Sequence, residues 1–425
     1  MLNANSWKKI GQTVIKLSAV FLLSAFPLMP SAEAANGTVL VCTQAGGDVE
    51  SAKKTLTDAG CTVLSEVRCE TGAFSILQVR PDNGDVNGAI AKFNGQLDPN
   101  ILSTEATFQS RLTGWFNWPP RPSCVPNDPD YPDQWGLSAM NWNDARCTLR
   151  LLGIGQRGPA RVTLIDSGHS LVSAGDEITN VRQYNFAGGA TGVNEAPFDS
   201  GLHGTAVSSV MSCRTHNSTF LAGTASHNLP VKVTCCRISN DGVSIDTMDV
   251  LRAMTWCVDN QAQRGGPGVI NVSINNPTLP TFNGSAVIQE IAKAARKQGD
   301  LFVNGSGNSG LVDPSPELYL RRVQGYDESN NVAPFSNTGP FKAGAPGTNI
   351  AVVTGTPPAI MTASGTSLAG PYWAGGVAFL QSFVPWSNAV RLDNILFRTA
   401  DTTPQGNKIP NFNRAITYTL LFGWW

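Results

Sequence analysis

The sequence predicts an α/β protein in which a parallel sheet carries helices on both faces and a small α+β unit precedes it. Three observations lead there. From about residue 140 onward, apolar strand-like runs alternate with helical patterns. Residues 36–110 show a strand and helix order of their own. Between the two, six of the chain's 27 prolines fall between Pro119 and Pro132, so neither a helix nor a central strand passes through. With 425 residues, 41% hydrophobic and 14% charged, the chain suits two or three globular domains.

The first unit reads β-α-β-β-α-β. "TVLVCT" is a strand, and "DVESAKKTLTDAG" is a helix capped by Asp48 and stopped by Gly60, with Val49, Ala52, Leu56 and Ala59 on one face. "CTVLSEVRC" and "AFSILQVR" are strands around a turn at Glu70-Thr71-Gly72. "DVNGAIAKFNG" turns Val86, Ile90 and Phe93 inward, and "NILSTEATF" closes with a strand. This order is ferredoxin-like.

In the second unit "ARVTLID" is a buried strand, "GTAVSSVMSC" a helix, "LPVKVTC" a strand and "SIDTMDVLRAMTWCVDNQ" a long helix. "GVINVSI" is a strand, "GSAVIQEIAKAARKQG" a helix and "DLFVNGSG" a strand. The run after Ser367 is the last helix but one. Active sites of such sheets lie at the carboxyl ends of the strands. Chemistry is therefore expected where a strand ends or a helix begins.

The N-terminus has the form of an export signal. Lys8, Lys9 and Lys16 precede "LSAVFLLSAFPLM", and Ala32-Glu33-Ala34 has the small-x-small form of a cleavage site. Residues 1–34 are expected to be removed, which puts the protein outside the cytoplasm, secreted or periplasmic. A formal net charge of −1 gives no reason to expect nucleic acid or an anionic membrane as partner. Export makes disulfides available to the nine cysteines. The six later ones, Cys124, Cys147, Cys213, Cys235, Cys236 and Cys257, are expected to be oxidised, with Cys124–Cys147 the first pair because both flank the start of the second domain. No zinc-ligand spacing occurs.

Three short motifs meet the positional test. Asp166 ends the strand "RVTLID", His203 in "GLHGTAV" opens a helix, and Ser367 in "GTSLAGP" opens another. A serine hydroxyl is a poor nucleophile until an imidazole takes its proton, and the imidazole needs a carboxylate to fix and stabilise it. Acyl transfer also needs donors for an oxyanion. Asn308, just past "FVNGSG", offers a side-chain amide, and the Ser367 N–H offers a second donor.

These residues resemble the subtilisin-like serine proteases, the subtilases. The likeness rests on Asp166-Ser167-Gly168, His203-Gly204-Thr205, Asn308 within "GNSG", and Gly365-Thr366-Ser367 with Ala369 and Pro371. "NDPDYPDQWGL", "GVINVSI" and "VAPFSNTGPFKAGAPG" are also similar to family segments. The resemblance implies a subtilisin-like catalytic domain over 113–425 and a propeptide over 35–112 that inhibits until it is cut off. It implies protein or peptide substrates, with Ser273, Ile274, Asn275 and Gly305 binding the substrate chain. Ser273-Ile274-Asn275-Asn276 replaces the usual serine-leucine-glycine-glycine, so side-chain preference stays open. Leu368, Tyr372 and Trp373 also depart from the family pattern, and repacking of a buried helix is expected there. Asp176 and Glu177 could ligate a structural calcium as some family loops do, but no oxygen-ligand spacing accompanies them, so a solvated loop is expected there and no metal or cofactor. His169 is expected to be solvated or structural, His216 and His227 exposed, and Asn283-Gly284 a simple turn. The apolar tail "TYTLLFGWW" is expected to pack on the domain or to form an interaction edge.

Overall fold

The computed structural model describes residues 39–43, 48–69, 74–95, 101–106, 124–276 and 281–422. The expected signal peptide, the turn at Glu70-Thr71-Gly72, the first part of the proline-rich linker and the last three residues lie outside them. The chain divides into two compact units between Pro120 and Arg121.

In the first unit the strands are β1 (Val39–Thr43), β2 (Cys61–Cys69), β3 (Phe74–Pro81) and β4 (Ile101–Ala106), with helices α1 (Val49–Asp58) and α2 (Val86–Gly95). The sheet order is β2-β3-β1-β4, with every pair antiparallel. Asp48 caps α1 by accepting from the amides of Glu50 and Ser51 at 3.0 and 3.2 Å. Gly60 stops the helix in the left-handed region, at φ 80°. Val41, Leu56, Leu77, Val79, Val86 and Phe93 form the core.

The second unit is built on an eight-stranded sheet, in the order β12-β11-β10-β9-β5-β8-β6-β7. These are β5 (Arg161–Asp166), β6 (Val181–Asn185), β7 (Val193–Glu195), β8 (Lys232–Arg237), β9 (Val269–Val272), β10 (Leu301–Gly305), β11 (Arg321–Tyr326) and β12 (Gly344–Pro346). All neighbours run parallel except β7, which pairs antiparallel with β6. A hairpin, β13 (Ile350–Thr354) and β14 (Ala359–Ala363), stands outside the sheet. The principal helices are α3 (Trp142–Leu151), α4 (His203–Ser212), α5 (Thr247–Asp259), α6 (Ala286–Lys297), α7 (Thr366–Phe383), α8 (Ala389–Thr399) and α9 (Phe412–Phe422).

The strands are apolar throughout because both faces are covered. Val162, Leu164, Val233, Val269 and Val303 point into one core with α4 and α7, while Ile165, Cys236, Ile270, Val272 and Phe302 point into the other with α5 and α6. Sequence reading missed β6, β7, β11–β14, α3 and one of the two helices after α7, so that α7 is last but two rather than last but one. Several are short or carry polar buried residues, such as Arg321, Arg322 and Gln324 in β11, that break the apolar pattern. Arg321 is satisfied by Asp393, which takes its Nε at 2.9 Å and its Nη2 at 2.7 Å and also accepts from Trp373 Nε1 at 2.8 Å. This accounts for Trp373 in the buried helix, where Leu368 and Tyr372 are buried as well. In the tail, α9 buries Phe412, Ala415, Ile416 and Thr419 and exposes Leu421 and Phe422.

The cysteines correct the expectation of three bridges. Cys124 and Cys147 are joined, with Cα atoms 5.2 Å apart. Cys213, Cys235, Cys236 and Cys257 are free thiols, all fully buried. Their side chains are spent as small apolar groups of the core. Burial raises the thiols of Cys213, Cys235 and Cys236 well above the usual range, so none carries the thiolate that oxidation needs. Closing the 23-residue separation of Cys124 and Cys147 stabilises the fold by about 3 kcal/mol. Mass mapping without reduction should therefore recover one linked peptide pair from the second unit, Cys124 with Cys147. The other four thiols should alkylate only after denaturant is added, and a Cys236–Cys257 linked peptide would contradict this assignment.

Candidate active site

The end of β5, the start of α4, the turn after β10 and the start of α7 meet at the carboxyl edge of the sheet. Strand order reverses there, with β8 and β6 on one side of β5 and β9 to β12 on the other. His203 Nδ1 lies 2.7 Å from Asp166 Oδ1, which also accepts from the Ser167 amide at 2.7 Å. Asp166 is buried, whereas 43% of the His203 side chain is exposed. The carboxylate raises the His203 imidazole to about 9, against a smaller opposing effect of burial.

Close backbone approach fixes this pair. A side chain at Gly204 would bring Cβ to 2.1 Å from the Gly168 carbonyl oxygen and 3.1 Å from Asp166 Cβ. Asp199, which sequence reading did not single out, holds the same corner. Its Oδ1 accepts from Gly201 N, Leu202 N and Ser167 Oγ, and its Oδ2 from Thr205 N and Oγ1. It thereby serves the open amides at the start of α4. Ser167 Oγ in turn accepts from Gly204 N at 2.9 Å.

Ser367 lies in the first turn of α7, partly buried. Pro371 has no N–H, so the Ser367 carbonyl lacks its helical partner four residues on. Ser273 Oγ donates to that carbonyl at 3.0 Å and accepts from Asn271 Nδ2 at 2.9 Å. The end of β9 is thus tied to the turn bearing the serine. No hydrogen bond among the described residues joins Ser367 Oγ to His203, although α4 and α7 pack side by side.

Asn308 is oriented without ambiguity. Its Oδ1 accepts from Thr366 N at 2.8 Å and from Thr366 Oγ1 at 2.9 Å. The amide nitrogen is left as the outward donor, beside Gly365 and the Ser367 amide. Gly305 is buried beneath Thr366, where a Cβ would meet the Thr366 carbonyl oxygen at 2.7 Å. Ile274 is clamped on both backbone groups by Asn304, whose Oδ1 accepts from Ile274 N at 3.2 Å and whose Nδ2 donates to Ile274 O at 2.8 Å. Asn275 follows, half-buried, with Asn276 exposed beyond it.

Several sequence expectations are corrected here. Asn283 is more than a turn residue: fully buried, it accepts from Asn304 Nδ2 at 2.9 Å and donates to Gly305 O at 3.0 Å. His227 is buried, not exposed, and His216 is half-buried. His169 is fully buried with Nδ1 2.8 Å from Ser208 Oγ, so it is structural. Asp176 is exposed, while Glu177 is buried, with Thr219 Oγ1 and Asn217 Nδ2 donating to its Oε1, so the two do not act as a pair. Burial raises Glu177 to about 7.

Comparison with known proteins gives the family. A model of the subtilase family matches residues 98–416. The thermophilic serine proteinase of Bacillus sp. strain AK1 is 25% identical over 398 residues, covering 90% of this chain and 88% of its own length. Subtilisin Savinase of Lederbergia lenta is 30% identical over 282 residues, 64% of this chain and 93% of its own. The thermostable alkaline protease of Halalkalibacterium halodurans is 29% identical over 259 residues, and the match spans 59% of this chain and 63% of that protein. Among solved structures, a protease from Pseudoalteromonas arctica superposes with a TM-score of 0.57 at 21% identity, over 69% of this chain and 98% of its own. The epidermin leader peptide processing protease EpiP of Staphylococcus aureus does so at 0.55 and 16%, over 89% and 97%. Those two likenesses speak for the fold, and the family match speaks for descent: the chain belongs to the subtilase family of serine endopeptidases.

Proposed function

We propose that the protein is an exported subtilisin-like endopeptidase, made as a zymogen, in which Asp166, His203 and Ser367 form the catalytic triad. The observation that carries the reading is the 2.7 Å contact of His203 Nδ1 with buried Asp166 beside the helix that opens on Ser367. Ser367 Oγ attacks the scissile carbonyl carbon while His203 Nε2 takes its proton. Asp166 holds the imidazole by Nδ1 and stabilises it once charged. Asn308 Nδ2 and the Ser367 N–H bind the oxyanion. Collapse breaks the peptide bond, and the leaving amine takes the proton from His203. Water, deprotonated by the same ring, then releases the acyl group from Ser367.

The substrate chain lies extended beside residues 273–275. Asn304 occupies both backbone groups of Ile274, which leaves Ser273 and Asn275 to meet the substrate. Gly305 acts from behind, by letting the start of α7 approach β10. Protein and peptide substrates fit this edge, and the N-terminal unit over 35–112 serves as the propeptide and inhibitor. Removal of the 1–34 signal delivers the zymogen outside the cytoplasm.

The direct test is a serine-directed phosphonate with a general peptide substrate. Wild type should be labelled at Ser367 and should turn over peptide. Ser367→Ala and His203→Ala should each abolish turnover, and the double variant should lose little more, because the groups act as a unit. Purified Ser367→Ala should also remain one uncut chain, whereas wild type separates between about Phe108 and Pro126. Strictly additive losses would remove one residue from the triad, and maturation of Ser367→Ala at the same bond would assign the cut to another enzyme.

Asn308→Ala should lower kcat by roughly 10²–10³ with KM nearly unchanged, a magnitude taken from loss of the same kind of donor in a subtilisin. An unaltered kcat would exclude Asn308 from the chemistry.

The pH profile follows from His203. Only the neutral ring accepts a proton, and Asp166 raises the ring above its ordinary 6.5 to about 9. The kcat/KM should therefore rise with pH through the neutral range and level off on the alkaline side. Asp166→Asn should move that limb down toward 6.5 and cost roughly 10⁴ in kcat. A limb that stays in place would belong to another group.

A further inference from the structure

A second polar site lies beyond the C-terminal end of α4, where α3 meets the loop after Cys213. Its walls include Cys124, Arg146, Arg150, His216, His227 and Asn228, around a half-open cavity of about 350 Å³. Arg146 is the centre of it. Only 2% of this residue is exposed, and its guanidinium lies 4.7 Å from the centroid of the Trp142 ring. Its Nε donates to His227 Nδ1 at 3.3 Å, and its Nη1 to the Cys124 carbonyl at 3.3 Å.

Those partners are neutral. Accepting at Nδ1 requires the uncharged ring of His227, and burial next to Arg146 holds that ring well below its usual value, to about 3. Among the described residues no carboxylate lies within ion-pair distance of Arg146, and no acceptor meets its Nη2. The carboxylate that acts on it from farther off, Asp128, is committed elsewhere: Oδ2 accepts from His216 N at 3.0 Å and Oδ1 from Asn217 N at 3.1 Å. A buried charge normally has a counter-charge, because desolvating it alone is costly. The other buried arginines among the described residues, Arg237, Arg264, Arg321 and Arg322, each have one. No acidic side chain lines the cavity, and Arg150 brings a second positive charge to its rim.

We infer that this cavity binds a small oxyanion of the phosphate class, held by the Arg146 guanidinium and Arg150. A planar guanidinium donates to a tetrahedral oxyanion through adjacent N–H groups, which suits this residue better than lysine would. The site joins α3, the Cys124 segment and the loop carrying His216 and His227. Binding therefore ties the beginning of the second unit to its core, apart from the catalytic edge.

The test uses the full exported chain carrying Ser367→Ala, so that self-digestion does not enter. Inorganic phosphate is titrated calorimetrically and in thermal melts, against potassium chloride at equal ionic strength. At about 100 times its dissociation constant, phosphate should raise the melting midpoint by about 5 °C. Arg146→Met should abolish the binding isotherm. Arg150→Gln, at an exposed position, should weaken binding about tenfold, which decides the matter if Arg146→Met does not fold. A phosphate monoester in a parallel titration distinguishes a free ion from an organic phosphate by which binds more tightly, and either result supports the site. No saturable binding in the Ser367→Ala chain overturns the inference, as does phosphate binding that adding Arg150→Gln leaves unchanged.

Discussion

The hydrogen bond from Ser273 Oγ to the Ser367 carbonyl is the joint on which the catalytic edge depends. It exists because Pro371 has no N–H to give that carbonyl. From Leu368 to Leu380 every residue of α7 is buried, so an unpaired carbonyl in its first turn would carry the full cost of desolvation. A strand end supplies the missing donor, and the turn holding Ser367 becomes part of the sheet's edge. Glycines make the approach possible. A Cβ at Gly370 would stand 3.2 Å from Asn271 Oδ1, and one at Gly375 would stand 2.8 Å from Thr224 Cβ. Each costs helix propensity of about 1 kcal/mol relative to alanine, which burial of the helix offsets.

Around that joint the polar side chains work in relays. Asn304 holds Ile274 and leans on Asn283, and Asn283 holds the Gly305 carbonyl. Thr366 holds Asn308, so the amide nitrogen has one direction left. Asp199 gathers five donors from the start of α4 and from Ser167, which keeps His203 over Asp166. Networks in which each side chain is held by several partners narrow the geometry. Reacting groups with freedom of more than an ångström would lose much of the benefit of being held together.

What was legible in the sequence follows from range. Alternation and capping are local, so β5, β8, β9, β10 and their helices could be read, as could the whole β-α-β-β-α-β order of the first unit. Asp166, His203, Asn308 and Ser367 could be read because strand ends and helix starts mark them. Asp199, Asn304 and Asn283 could not, since their importance lies in partners up to 32 residues away. The four free thiols were misjudged for the same reason: counting cysteines says nothing about which ones the core encloses. His227 looked like a loop residue and is buried because Arg146, 81 positions earlier, reaches it.

The two outer strands of the large sheet have a bearing on how such a protein survives its own chemistry. β7 and β12 are each three residues long, β7 runs against its neighbour, and β12 ends in Pro346. Just before β12, the Lys408 amide takes the Lys342 carbonyl and the chain bridges Ala343. Short, capped or proline-ended borders give an incoming chain little to align with. A protein whose working surface is an open backbone edge would otherwise recruit extended chains, including unfolded copies of itself, along its flanks. Docking of extended chains is thereby disfavoured at both borders, and crowding there would end in release rather than in a growing stack.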